Sequence, residues 1–397
     1  MLNQHFRLWV WLVVCLVVGM HPAVEAAGTL SERNYKKLQV IHKLISQDKF
    51  NQAQKALNRV LAKKNDAYTE ALFLQTSAQV AISQSQYPKA IKRLQRALSM
   101  KALPAFVEKN IVYNLAQLTV QQDDYRQGLK YLKRWLVLQK KRSPQQHIFA
   151  ASVFGQQKQY KSAIKHVQRA IAGVKRPKES WYQLLISFYL DQKRYKKAIP
   201  IYHKLVRQYP KKRTYWQQLS GLYLQTKQKQ QALAVLSLAY RQGMLTTESD
   251  LLRLVNLYLY VNNPYDAGTL LQRELTRKRI KSSAKNWRKL ADSWILAREY
   301  GKGIVALKAA AALSVNDGAL DVRIARLQIE QGHWRPAFDA LGRGLKKGVK
   351  KVGEAHLLRG ISAYYDHRLP QARRAFQQAM KTKSVRKRAK AWLQQME

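Results

Sequence analysis

A small residue, usually alanine, returns about every 35 positions along this chain, and similar large apolar side chains surround it each time. The anchors are Ala53, Ala90, Gly128, Ala163, Ala198, Ala232, Ala267, Gly303, Ala337 and Ala372, spaced by 37, 38, 35, 35, 34, 35, 36, 34 and 35. Such a period restricts the chain to a repeat architecture, because a unit this short must stack on its neighbours to bury its apolar face. Four residues after most anchors comes a large apolar residue and three later another, as in Ala198, Tyr202, Leu205 and in Ala372, Phe376, Ala379. Steps of four and three put all three on one helical stripe. Upstream a second stripe recurs, with Trp216, Leu219, Ser220 and Tyr223 in the sixth unit and Trp287, Leu290, Ala291 and Trp294 in the eighth. Each unit therefore reads as two helices crossing at the anchor, where a larger side chain would push them apart.

These positions resemble the tetratricopeptide repeat (TPR) family, whose unit reads W-x2-L-G-x2-Y, then A-x3-F-x2-A and a closing proline. The fifth unit follows that pattern with Tyr182, Leu185, Ile186, Tyr189, Ala198, Tyr202, Leu205 and Pro210. The seventh departs, with Glu274 where a small or apolar residue is expected and Pro264 just ahead of its second helix, and the first three units are the most degenerate. The resemblance implies an all-α fold, a right-handed α-solenoid of about ten TPR-like helical hairpins over residues 27–397. A cap helix over 385–396, with Ala389, Trp392 and Leu393 on one side, is expected to close its C-terminal end. No Pro-, Gly- or Ser-rich linker interrupts the pattern, which favours one array over two or three separate domains.

The first 26 residues differ from the rest: Arg7 precedes Leu8 to Met20, thirteen residues without a charge, and Val24 and Ala26 follow at cleavage spacing. This is read as a secretory signal peptide cleaved after Ala26, because a bilayer crossing needs about 20 apolar residues. An uncleaved anchor, with Trp9 and Trp11 at the interface, is the other arrangement, and both deliver the repeats to the periplasm. Cys15, the single cysteine, lies in the apolar run. The mature chain then has neither disulfides nor thiolate chemistry.

Lysine and arginine number 72 against 23 acidic residues, a net charge of +49 that survives leader removal because Arg7 and Glu25 leave together. The basic residues are densest at 89–96, 130–142, 193–213, 273–289, 346–351 and 386–390, mostly on second helices and the turns after them. One reading is a solvated basic surface; the sharper one is a site for anionic headgroups or an envelope polymer. Nucleic acid is disfavoured by the leader and by aromatics such as Tyr125, Tyr160, Tyr195, Trp216 and Tyr223, which the repeat itself needs for packing.

No catalytic constellation is found. The histidines outside the leader, His42, His147, His166, His203, His333, His356 and His367, show no metal-ligand spacing such as H-E-x-x-H. Asp123 and Asp124 precede Tyr125 as expected of a helix start. Gly342, Gly344, Gly348 and Gly353 suggest a flexible inter-repeat turn, since a phosphate loop would follow a strand and end in G-K-[ST]. The chain is therefore expected to be no enzyme and to carry no cofactor or metal.

Binding in the TPR family uses the concave groove lined by first helices. Carrying repeat positions two, five, nine and twelve onto this chain gives Tyr113, Gln117, Gln217, Arg253, Asn256, Lys285, Arg288, Asp292, Arg326 and Tyr364 as candidate groove residues. The Lys and Asn set with which some relatives clamp a peptide's terminal carboxylate is incomplete here. Arg253 with Asn256, and Arg288 with Asp292, are read in preference as one-turn pairs on a solvated face. In overall texture, as in the stretch from Trp181 to Gln225, the chain resembles the Gln- and Lys-rich TPR proteins that accompany TonB, ExbB and ExbD type systems of gammaproteobacteria. That resemblance implies a periplasmic scaffold, accessory to TonB-dependent transport, with TonB- or ExbD-type partners. The alternative is an envelope factor that binds anionic lipid or cell-wall polymer.

Overall fold

A computed structural model describes residues 30–397. The expected leader and Cys15 lie outside the described residues. All regular structure among the described residues is helical. The chain divides into two compact units, one ending at Phe188 and one beginning at Tyr189. The first holds α1 (Glu32–Ser46), α2 (Phe50–Leu61), α3 (Ala67–Ser83), α4 (Tyr87–Ser99), α5 (Ala105–Gln121), α6 (Tyr125–Leu138), α7 (Pro144–Gln156) and α8 (Tyr160–Ala172). The boundary falls within α9 (Glu179–Asp191). The second unit continues with α10 (Tyr195–Gln208), α11 (Arg213–Gln225), α12 (Lys229–Arg241), α13 (Glu248–Tyr260), α14 (Pro264–Thr276) and α15 (Ala284–Leu296). It ends with α16 (Tyr300–Ala312), α17 (Ala319–Glu330), α18 (Trp334–Lys347), α19 (Val352–Tyr365), α20 (Leu369–Met380) and α21 (Arg386–Gln394). Within each unit every whole helix packs on the next, which makes α1/α2, α3/α4, α5/α6 and α7/α8 in the first unit and α11/α12 through α19/α20 in the second helical hairpins.

The anchors sit at the crossings, as their size requires. Ala53, Ala90, Ala163, Ala198, Ala232, Ala267, Ala337 and Ala372 are each 0% exposed. Gly128 and Gly303 are buried as well. A β-carbon at Gly128 would lie 2.5 Å from Val120 Cγ2, and one at Gly303 would lie 2.8 Å from Ile295 Cγ1. Leu205, Leu219, Leu290 and Phe376 fill the core around them, with Tyr202 and Trp216 almost fully buried. Trp216 also donates from Nε1 to the Pro210 carbonyl at 2.8 Å, so the closing proline anchors the start of the next first helix. Tyr223 and Trp287 are only half-buried; Tyr223 bonds His203 at 2.7 Å and Trp287 donates to Ser282.

Three residues separate the helices of a hairpin, as at 84–86, 226–228 and 366–368. The middle one takes a left-handed backbone every time: Asp48, Ser85, Asp123, Lys158, Lys193, Lys227, Asn262, Arg298, Gly332 and His367 all have φ between 54° and 72°. Each stands five residues before its anchor, so this turn shares the anchor period. The amide after it bonds back across the turn, as in Gln86 N to Ala81 O at 2.7 Å and Gln228 N to Tyr223 O at 2.8 Å, which satisfies carbonyls the helix end leaves open. Glycine is the usual residue for this conformation, yet only Gly332 supplies one. A lysine or arginine there instead places its positive charge at the negative end of the first helix. Several first helices begin on side-chain caps, including Asp66, Thr247 and Ser283, with a reciprocal capping box at Ser143 and Gln146. Asp124 caps α6 through the Gln127 amide at 3.0 Å, as its place before Tyr125 suggested.

The glycine run over 342–353 is not a loop. Gly342 and Gly344 lie in α18 and Gly353 in α19, leaving Gly348 alone in the turn, with φ +88°. The reason is close packing: Gly318 and Gly344 bring two backbones together, and a β-carbon on Gly353 would lie 2.4 Å from Thr382.

Glu274 also has a structural reason. Its carboxylate is 0% exposed and accepts a hydrogen bond from Tyr240 at 2.5 Å. Arg279, Arg273 and Arg277 approach it at 3.2, 3.6 and 3.8 Å. Arg279 also donates to the Leu245 carbonyl at 2.6 Å. A residue that breaks the repeat pattern thus ties α12, α14 and the following turn together. Pro264 occupies the first turn of α14, where its missing N–H costs nothing. The α21 cap forms where expected: Ala389 is fully buried, and Trp392 lies parallel to Phe376 at 5.7 Å.

Candidate functional site

The first helices of the second unit are bonded to one another from repeat to repeat. Asp250 on α13 accepts from Arg213 at 2.9 Å and from Gln217, both on α11. Asn256 on α13 accepts from Lys289 on α15 at 2.9 Å, and Glu248 accepts from Asn286 at 3.0 Å. Asp292 on α15 pairs with Arg323 on α17 at 2.6 Å, and Arg326 on α17 pairs with Glu354 on α19 at 3.0 Å. Arg288 reaches Asp317 ahead of α17 at 2.7 Å. Asn256, Arg288 and Asp292 therefore take partners one repeat away instead of one turn away. Neighbouring first helices are brought side by side by the stacking, and a carboxylate reaches the next helix as readily as the next turn. Exposed pairs of this kind contribute little each, about 0.2–1 kcal/mol, but together they fix the register of the face.

On this fixed face one stripe stays open. Ser249, Leu252, Arg253 and Asn256 follow one another at helical spacing on α13 and, with Thr247 and Glu248, line a depression of about 680 Å³. Arg253 and Asn256 are exposed, as is Lys285 at the start of α15. Neither Arg253 nor Lys285 has a hydrogen-bond or ion-pair partner among the described residues. The carboxylate of Glu248 is engaged by Asn286 and by the Lys281 amide at 3.2 Å.

The remaining candidate groove residues are placed differently. Tyr113 and Gln117 belong to the first unit. Tyr113 packs on Trp135 at 4.4 Å and Phe149 at 5.6 Å, and burial pushes its phenol up to about 12, so it is a packing residue that stays protonated. Tyr364 packs against Trp392 of the cap helix at 5.2 Å. Arg253 and Asn256 thus lie on the open stripe, Lys285 is exposed at the start of the neighbouring first helix α15, and Gln217, Arg288, Asp292 and Arg326 hold the helices beside it in register.

In the first unit the fold joins His147 and His166, 19 apart in sequence, with their Nδ1 atoms 2.9 Å apart. One imidazole donates and the other accepts, which requires the accepting ring to be neutral. Burial, reinforced by His147, Arg142 and Arg169, pushes His166 down to about 4. No group of three metal-ligating side chains occurs among the described residues. Nor is any described helix long and apolar enough to cross a membrane.

Hairpins crossing at small anchors, three-residue turns and a face of first helices define an all-helical, TPR-like repeat protein. The ChAPs (Chs5p-Arf1p-binding proteins) family model matches residues 86–256. Among solved structures, the chain is similar to a tetratricopeptide repeat protein from Parabacteroides merdae ATCC 43184, at 12% identity over 75% of this chain and 100% of that one, with a TM-score of 0.38. It is also similar to YrrB, described as a TPR protein with an unusual peptide-binding site (16% identity, 47% of this chain and 91% of that one, TM-score 0.36). MamA from Desulfovibrio magneticus RS-1 is a third, at 17% identity over 43% and 94% of the two chains, TM-score 0.34. No curated protein matches the sequence.

Proposed function

We propose that this protein is a scaffold that receives a segment of a protein partner on the first-helix face of its second unit. The carrying observation is the open stripe of α13 over its depression of about 680 Å³, beside helices already bonded to each other. A shallow, open depression with several polar groups around one leucine suits an extended peptide laid along its surface, and a face held in register loses little entropy on binding it. The description of the family matching residues 86–256 as proteins that bind Chs5p and Arf1p supports a protein-binding role. The finer proposal is an accessory of TonB-dependent transport in the periplasm, with TonB- or ExbD-type partners. It rests on the texture of the chain.

A photocrosslinking residue at Ser249, compared with one at Lys308 on the second helix α16, tests the reading in the intact cell. Capture of one protein species from Ser249 and not from Lys308 is expected, and its identification decides the TonB assignment. Recovery of lipid or cell-wall polymer from both positions would overturn the scaffold reading in favour of an anionic envelope ligand.

A further inference from the structure

The open stripe carries information about the chemistry of its occupant, and this inference rests on the groove-binding reading above. The cations on it are free and the anions are not. Arg253 and Lys285 have no partner among the described residues, and Lys289 spends one of its three N–H groups on Asn256. Every carboxylate on the same face is engaged: Glu248 by Asn286 and the Lys281 amide, Asp250 by Arg213, Gln217 and Thr247, Asp292 by Arg323. An arriving carboxylate therefore meets the unpaired charge of Arg253, with Lys285 and Lys289 on the next first helix, while Asp250 and Asp292 are already paired with arginines and Glu248, bonded by neutral amides, keeps its own charge at the rim.

The stripe also shows how the ligand is built. Leu252 lies among the polar residues lining the depression, next to Arg253 and between Ser249 and Asn256. A single leucine gives purchase to an apolar side chain set between acidic ones and does not form the broad apolar area that a membrane surface engages. Ser249 and the Asn256 amide nitrogen add hydrogen-bonding groups suited to a peptide backbone. We propose that the partner segment is an acidic, extended stretch whose carboxylates reach Arg253 and Lys285 on either side of an apolar residue that rests on Leu252.

The test uses the full chain and two short fluorescein-labelled peptides, GSDELDELSG and its amide counterpart GSNQLNQLSG, with anisotropy read at low and physiological salt. The acidic peptide is expected to bind and the amide peptide to bind at least about tenfold more weakly. The double variant Arg253→Glu with Lys285→Glu should lose about tenfold for the acidic peptide. A control with the same charge change on exposed residues elsewhere, Lys308→Glu with Lys387→Glu, should retain binding. A lysine-substituted peptide, GSKKLKKLSG, is expected to bind the first variant better than the unaltered chain. Helical circular dichroism checks that both variants are folded.

Equal losses in the two variants would mean that net charge alone attracts the peptide, and the proposal fails. Equal binding of the acidic and amide peptides, with losses on Leu252→Ala, would overturn the acidic chemistry and leave the groove reading intact. If phosphatidylglycerol vesicles bind through Arg253 and Lys285 while neither peptide does, the proposal fails, and protein capture from Ser249 then decides separately whether the groove reading survives.

Discussion

Two helical glycines should respond oppositely to the same added methyl group. Gly221 on α11 has nothing within 4 Å of the position a β-carbon would take, whereas at Gly128 on α6 that carbon would meet Val120 Cγ2 at 2.5 Å, Thr119 Oγ1 at 3.2 Å and the Ala116 carbonyl at 3.4 Å. Replacing glycine by alanine in a helix gains about 0.8–1 kcal/mol of propensity, so Gly221→Ala should stabilise by about that amount. At Gly128 the gain is opposed. Carbon atoms in contact normally lie about 3.5–4.0 Å apart, so the methyl intrudes by about 1 Å on a valine whose β-branch holds χ1 in place. The crossing of α5 and α6 must open, and overpacking of this kind costs about 1–3 kcal/mol. The net for Gly128→Ala is then a loss of up to about 2 kcal/mol. Gly303→Ala, with its contact 2.8 Å from Ile295 Cγ1, should lose less than Gly128→Ala, because the intrusion on an equally β-branched side chain is smaller. A repeat array opens unit by unit, so the readout is amide exchange protection in the affected hairpin, where about 1.4 kcal/mol is tenfold. Gly128→Ala should lower protection across α5 and α6, and Gly221→Ala should raise it across α11 and α12. A rise in both would refute the assignment of the small anchors to helix crossings.

The left-handed turn predicts gains from glycine: Lys227→Gly should stabilise by about 0.5–1 kcal/mol in a urea titration, and Asn262→Gly by less because asparagine tolerates that backbone. Glu274→Gln should cost about 1–2 kcal/mol by the same assay, since it leaves Arg273, Arg277 and Arg279 facing each other without their carboxylate, while their exposure to water limits the loss. Trp392→Ala should cost about 1–2 kcal/mol and lower exchange protection in α20 and α21, because the half-buried indole covers Phe376 and Tyr364. The His147–His166 pair makes the first unit sensitive to acid. The folded pKa of His166, about 4, lies below the ordinary 6.5, so the unfolded chain takes up its proton first. Its contribution is therefore complete above about pH 6.5 and is lost as the pH falls toward about 4. His166→Asn should flatten the melting temperature of this unit across that window, and an unchanged slope would show that the histidines do not govern it.

The period of the anchors was legible because a helix crossing tolerates only a small residue, so geometry imposes a single residue type at one place. The turn five residues earlier has the same period and left no comparable trace. Its requirement is a backbone angle, which lysine, serine, aspartate, arginine and histidine all meet at a modest cost, and Gly332 alone uses the residue that would have marked it. The run from Gly342 to Gly353 shows the converse, glycines that are common in turns serving here to let backbones approach within helices. Among the groove candidates, position in the repeat put Arg253 and Asn256 on the helix that lines the depression and Lys285 at the start of the next first helix. It did not find the bonds between repeats, because Asp292 and Arg323 or Arg326 and Glu354 become neighbours only once the hairpins stack. Comparing charges at equivalent positions of adjacent repeats would have exposed those complementary pairs. His147 and His166 sit on the two helices of one hairpin, and no spacing rule for a single helix joins them.

The structure also divides the net charge of +49 into parts with different causes. Lys158, Lys193, Lys227 and Arg298 occupy left-handed turns at the ends of first helices, where a cation opposes the helix dipole. Arg213, Arg279, Arg343 and Lys347 neutralise buried carboxylates of Asp250, Glu274 and Asp321. Many acidic residues are likewise committed inside the molecule: Asp66, Asp124 and Asp266 lie at helix N-termini, and Asp292 and Glu354 bridge first helices. Free charge without such a local reason, such as Arg253 and Lys285, is what remains to act on a partner. Attraction from the whole basic surface reaches about 8 Å at physiological ionic strength and fades as salt rises. Hydrogen bonds from Ser249 and Asn256 and apolar contact with Leu252 do not fade in that way. A ligand of the α13 stripe should therefore keep part of its affinity at high salt while one held by net charge loses nearly all of it, so the salt slope distinguishes a docking site from a charged surface.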